Sequence, residues 1–300
     1  MLHLKKIILS LSISAAFLAP GLVYGQEIIQ IDPLFEYPSA PETLTTLVDK
    51  SNYLMDHFWD AMDFKSTTAV DQNALNDAMR VYSVPLRWAE LTKAEAATDK
   101  LIEKISKNPT LLTQFTKAAE ENLYGPRAEF WVDPVYMKFL DAFLKNKKIP
   151  AARKTKYEKQ LQTLSNTTLG AKAPTFDFTG RNGKAEKYIP MSTPTILIFG
   201  DPTLPDWRMI RMKLETNIPL RQAVEQGKIN MLYIVPFKMD TWEKETSNYP
   251  STWTVGNAPE IGDILDLRVN PSVYFVDGSG NLILKNTTLE EAINRALNPT

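Results

Sequence analysis

The chain has no cysteine in 300 residues. That absence excludes disulfides, thiolate nucleophiles, dithiol redox chemistry, thiolate metal sites and lipidation of an N-terminal cysteine. Histidine is almost as scarce, with two in the sequence. His3 falls in a leader-like segment, so His57 is the one imidazole expected in the mature chain. A lone imidazole without thiolates argues against zinc. His57 sits inside "LMDHFWD", a helical context with no nucleophile elbow, so a Ser-His-Asp hydrolase is not expected. Charge of one sign is missing too: 34 Lys+Arg stand against 35 Asp+Glu, a net charge of −1. This excludes the basic excess of a nucleic-acid binder or a polybasic membrane-surface protein. There is no P-loop, no GxGxxG and no calcium-binding loop, and "GRNG" (180–183) reads as a turn. No cofactor and no metal are expected.

Long apolar runs are missing after the first residues. "MLHLKK" is a basic n-region, and "IILSLSISAAFLA" is an apolar stretch too short to span a bilayer comfortably. Val23 and Gly25 precede Gln26 at the spacing of a cleavage site. Residues 1–25 therefore read as a Sec-type signal peptide, with an uncleaved anchor as the alternative. The mature chain is expected to be exported, periplasmic or secreted, with no stable membrane span.

What is present divides near residue 168. Residues 26–168 carry apolar positions at helical spacing, as in Leu44, Leu47, Val48, Leu54, Met55, Phe58 and Met62. The start signals are Pro41 for the first helix, Thr92 with Glu95 as a capping box, Asn108, and Asp133 followed by Pro134. The expected stops are a break near Val84, before Pro85, and Gly125 as a C-cap. "PAARKTKYEKQLQTLSN" closes this part as a charged amphipathic helix, and Asp56, Asp60 and Asp63 read as a solvated helix face.

From residue 169 the period changes. "TPTILIFG" and "KINMLYIVPF" are short β-branched runs that suit buried strands, and the segment between them is a helix interrupted near Pro219. That is a right-handed βαβ unit. "PEIGDILDLR" reads as a short helix, "NPSVYFVDGSGNLILKN" as a hairpin turning at "DGSG", and "TLEEAINRALN" as a last helix capped by Thr287 or Thr288.

Five stretches carry a family resemblance: "NLYGPRAEFWVDPVYMKFLDAFL", "KAPTFDFTGRNGK", "LIFGDPTLPDW", "WEKETSNYPSTW" and "DILDLRVNPSVYFVDGSGNLILKNTT". In order and spacing they resemble exported bacterial proteins of the thiol-disulfide oxidoreductase type. There a helical domain of unknown function, DUF5106, precedes a thioredoxin-like domain. The fold class this implies is a two-domain α+β chain, with an all-helical domain at 26–168 and a thioredoxin-like α/β/α domain at 169–300. In redox-active members, two cysteines separated by two residues lie where a strand hands over to a helix. The first is activated by the helix N-terminus. On that corner this chain has Leu204 and Trp207, with Pro205 and Asp206 between. Neither sulfur exists, so dithiol exchange is impossible for this chain alone. The resemblance also implies a cis peptide bond at Asn270–Pro271, opposite the corner.

The corner leaves alternatives open. Asp201 and Asp206 are its two acids, and a general acid–base pair is conceivable. An Asp-Pro corner and a favourable first-turn charge explain them more simply. Trp207 with Trp242, Tyr249 and Trp253 either lines a groove that binds a protein or peptide of the cell envelope, together with Asp201, Asn270 and Pro271, or plugs it. Non-catalytic binding is the expected function. The other readings are a role accessory to a thiol-disulfide oxidoreductase system, a carboxylate-based enzyme, and a purely structural module.

Overall fold

A computed structural model describes residues 33–65, 69–126, 128–190 and 192–298. The signal peptide expected at 1–25 lies outside them. By compactness the chain divides into two units, Met1–Lys154 and Thr155–Thr300.

The first unit contains five α-helices among its described residues: α1 Leu47–His57, α2 Gln72–Leu86, α3 Leu91–Ile105, α4 Pro109–Leu123 and α5 Asp133–Lys145. Their apolar stripes meet in a core that includes Met55, Leu75, Met79, Leu112, Phe115, Phe139 and Leu140. Several boundaries differ from the sequence expectation. Pro41 lies in a turn ahead of α1, and Thr46 caps the helix instead, its hydroxyl accepting from the Asp49 N–H at 3.0 Å. Pro85 does not end α2 at Val84. It sits inside the last turn, where a missing N–H costs one intrahelical bond and the helix runs one residue further. The capping box at Thr92 does not form, because α3 already begins at Leu91. The Glu90 N–H at its start is bound by the Asn52 side chain of α1 at 2.9 Å. Asn108 does cap α4, accepting from the N–H groups of Thr110 and Leu111.

The second unit opens with α6, Thr155–Asn166. The sequence pattern puts the end of the helical domain after this helix, at 168. α6 is held by residues of the same unit: Lys159 pairs with Asp263, and the Asn166 side chain donates to the Ile264 carbonyl at 3.1 Å. Seven strands build one sheet: β1 Phe176–Gly180, β2 Ala185–Tyr188, β3 Thr195–Phe199, β4 Asn230–Val235, β5 Thr254–Asn257, β6 Ser272–Val276 and β7 Leu282–Leu284. Their order is β2-β1-β5-β4-β3-β6-β7. The β3/β4 and β4/β5 pairs are parallel, and the remaining pairs are antiparallel.

All five residues of β3 and of β6 are buried, which explains their unbroken apolar runs. Alternate side chains feed two cores. Ile196, Ile198, Met231, Tyr233, Val273 and Phe275 point to one face. There they meet α7 Pro205–Thr216, α8 Ile218–Glu225 and α10 Leu289–Leu297 (α9 is the single turn Trp242–Glu245). Leu197, Phe199, Leu232, Ile234 and Tyr274 point to the other face, with Phe176, Ile261 and Leu265. The expected helix interruption near Pro219 falls at Asn217, which ends α7 and caps α8 through a 3.0 Å bond from the Leu220 N–H. The short helix expected in "PEIGDILDLR" is a single 3-10 turn, Ile261–Asp263. Thr288, rather than Thr287, caps α10.

Candidate functional site

The corner between β3 and α7 is built on backbone first. The Gly200 N–H binds the Ile234 carbonyl at 3.2 Å, and the Gly200 carbonyl accepts the Tyr233 hydroxyl at 2.8 Å. A Cβ at Gly200 would lie 3.2 Å from Cβ of Pro271 and 3.5 Å from Oδ1 of Asn270. Glycine is what lets the loop before β6 approach the corner. The Asn270–Pro271 peptide bond in that loop is cis. Asp201 then closes an Asx turn, with Oδ1 accepting both the N–H and the hydroxyl of Thr203, at 2.8 and 2.6 Å. Leu204 is extended and stands at the N-cap of α7 without a side-chain cap bond. Pro205 occupies the first helical position, and Asp206 places a carboxylate in the first turn.

The side chains of the corner part into an inside and an outside. Trp207 is inside, with 3% of its surface exposed. Its ring stacks on Tyr233 at 4.6 Å between centroids and 26° between planes. Its indole N–H donates to the Tyr249 hydroxyl. Tyr249 meets Trp253 edge-on at 6.1 Å, and the Arg211 guanidinium lies 4.8 Å above the Tyr249 ring. Burial, followed by repulsion from Tyr249, holds the Tyr233 hydroxyl far above the ordinary phenol range. Burial also raises Tyr249, against the hydrogen bond it accepts from the Trp207 N–H. Both phenols are therefore neutral at physiological pH, and neither is an available base.

Tyr249, Trp242 and Trp253 are 4%, 7% and 7% exposed. The four aromatics expected at the groove are thus packed into the apolar core on the α7 face of the sheet. Leu204 remains outside at 40% exposure, and Pro205, Asp206 and Asn270 are exposed. Asp201 and Pro271 are half-buried at the rim. The structure brings Gly200, at the start of the corner, against Asn270–Pro271, and it buries Trp207, Trp242 and Trp253 in the core.

Two residues that hold this arrangement escape a sequence reading. Tyr233 sits within a strand-like apolar run, where nothing marks it as the platform for Trp207. Arg181 lies in the "GRNG" turn between β1 and β2. It donates to the carbonyls of Tyr249 at 3.1 Å, Pro250 at 2.7 Å and Trp253 at 3.4 Å, and burial lowers its pKa. An arginine between two glycines in a hairpin turn is the available signal. The turn is not a phosphate cradle but a clamp on the segment that delivers Tyr249. Among the described residues there is no group of three or more His, Asp or Glu able to hold a metal, and no helix is long and apolar enough to cross a membrane.

A central mixed sheet with α7, α8 and α10 on one face, and a β3–α7 corner approached by the Asn270–Pro271 loop, is a thioredoxin-like fold. A thioredoxin-like protein from Bacteroides caccae shares that fold at a TM-score of 0.74 and 20% identity, over 89% of this chain and 99% of its own. Residues 12–167, more than half of the chain, match the domain of unknown function DUF5106, and the chain belongs to that family. Two further solved structures are similar to the chain over a smaller part. A conserved protein of unknown function from Bacteroides fragilis is 28% identical over 42% of this chain and 97% of its own, at a TM-score of 0.39. The thioredoxin domain of a thiol-disulfide oxidoreductase from Bacteroides vulgatus is 16% identical over 42% of this chain and 94% of its own, at 0.36. No curated protein matches. The chain thus joins a DUF5106 helical region to a thioredoxin-like region that has no cysteine at all.

Proposed function

We propose that this is a redox-inert thioredoxin-like protein of the cell envelope that binds an extended protein or peptide segment without reacting with it. One observation carries the reading. At the corner, Trp207 fills the interior while Leu204, Pro205 and the Asn270–Pro271 loop keep an accessible rim. An apolar side chain beside an exposed loop is a contact surface with nothing left in it to react. The basic leader followed by an apolar stretch supports export.

The test is retention of an envelope component by the purified chain, with a photo-crosslinker installed at position 270 to identify it. Leu204→Arg should lower retention by tenfold or more, while the melting temperature stays within about 2 °C, as for an exposed substitution. A partner held equally by the Leu204→Arg protein and crosslinked elsewhere removes the reading. A second reading, a purely structural module, draws on the burial of all four aromatics. It predicts that Leu204→Arg is silent in every binding assay.

A further inference from the structure

Helix α7 has two apolar faces. Trp207, Ile210 and Leu214 turn toward the sheet, as their spacing requires. Met209 and Met212 turn outward and are 59% and 58% exposed. Between α7 and α10 runs a groove of about 890 Å³. Ile210, Leu289, Ile293 and Leu297 line it, all of them partly buried. Its walls differ in charge. Lys213 stands on the α7 side and Glu290 on the α10 side. Neither has an ion-pair partner among the described residues. The helices repeat this bias as wholes. Arg208, Arg211 and Lys213 stand against Asp206 and Glu215 on α7, and Glu290 and Glu291 stand against Arg295 on α10.

We propose that this face binds a second copy of the chain, with α7 of each copy lying along the α10 wall of the other. A two-fold axis brings the same patch of both copies together, so the patch must be complementary to itself. A helix of net charge +1 and one of net charge −1, flanking a groove with an apolar floor of Ile210, Leu289, Ile293 and Leu297, meet that condition. Rotation sets the Lys213 of one copy against the Glu290 of the other, twice. Met209 and Met212 supply flexible apolar contact that adapts to a shallow groove. The association is modest in strength. Twelve residues of α7 span about 18 Å, and such a face falls short of the roughly 800 Å² per partner typical of stable interfaces. A micromolar dissociation constant is the expectation. The inference is independent of the proposed function, whose contact residues lie on the corner rim.

Sedimentation velocity of the purified mature chain over roughly 1 to 300 µM brackets a micromolar equilibrium. The expected result is a monomer–dimer equilibrium. Met209→Glu combined with Met212→Glu should keep the native circular dichroism and weaken the dimer at least thirtyfold. Lys213→Glu alone should weaken it about tenfold, because both symmetric pairs become repulsive. Adding Glu290→Lys to Lys213→Glu should restore it to within about threefold of the unaltered chain. A monomer throughout the range, a dimer indifferent to the methionine changes, or a charge reversal that fails to rescue each overturns the proposal.

Discussion

Each unit of the chain buries a tryptophan in an aromatic cluster, and the two are made differently. Trp59 lies within 4.9 to 5.6 Å of the rings of Phe35, Phe58, Tyr82 and Phe115, centroid to centroid. Its indole N–H is buried without a hydrogen-bond partner among the described residues. Trp207 is as deeply buried, but its N–H is given to Tyr249, and Tyr249 is held in turn by the Arg211 side chain above its ring and by Arg181 on its carbonyl. The indole of the first cluster is held by area and shape. The second adds a chain of directed polar bonds that fixes one arrangement among the many that apolar packing would tolerate. Burial of similar extent thus has different tolerance to change.

The comparison is broken most forcefully by Trp207→Ala. A large aromatic removed from a packed site costs about 3–5 kcal/mol. Chemical denaturation should show that loss, with a drop of about 10 °C in the melting temperature of the C-terminal unit. Alkaline titration separates the clusters next. Burial pushes the Tyr82 hydroxyl, beside Trp59, to about 12, with the Thr98 side chain opposing it. A folded-state value above the unfolded one stabilises fully below pH 10 and is lost as pH rises from 10 toward about 12. The loss amounts to about 3 kcal/mol. Unfolding free energy measured across that window should fall, and Tyr82→Phe should flatten the fall by one proton. An unchanged slope in the variant would show that Tyr82 titrates freely. Tyr249→Phe comes third. It leaves the Trp207 N–H buried and unpaired, at about 1–3 kcal/mol. It should also speed amide exchange in residues 249–253 more than in β3. The smallest effect is expected from Trp59→Phe, within about 1 kcal/mol of the unaltered chain, because the lost ring area is offset by removing an unsatisfied donor. A larger loss from Trp59→Phe than from Trp207→Phe would reverse the comparison.

The helices, β3, β4 and the final hairpin are legible because their periods are strong and their strands are buried on both faces. The outer strands are not. β2 reads "AEKY", with three of four residues exposed, and forms through its pairing with β1 rather than through any pattern of its own. β5 reads "TVGN" and depends on Gly256, where a Cβ would collide with the Phe178 ring. That requirement arises in three dimensions and leaves no trace in the local sequence. The same holds for the corner. The positions of Leu204 and Trp207 follow from resemblance, whereas which of the two is buried depends on Tyr233 and Tyr249, 26 and 42 residues beyond Trp207.

The bond from Trp207 to Tyr249 also sets what a thiol at position 207 would cost the fold. Placing a thiol at position 207 would exchange a filled core site for a void and leave the Tyr249 hydroxyl without its donor, a penalty of at least about 3 kcal/mol. With Trp207 built into that core, a thiol at this corner would come only with a less stable protein.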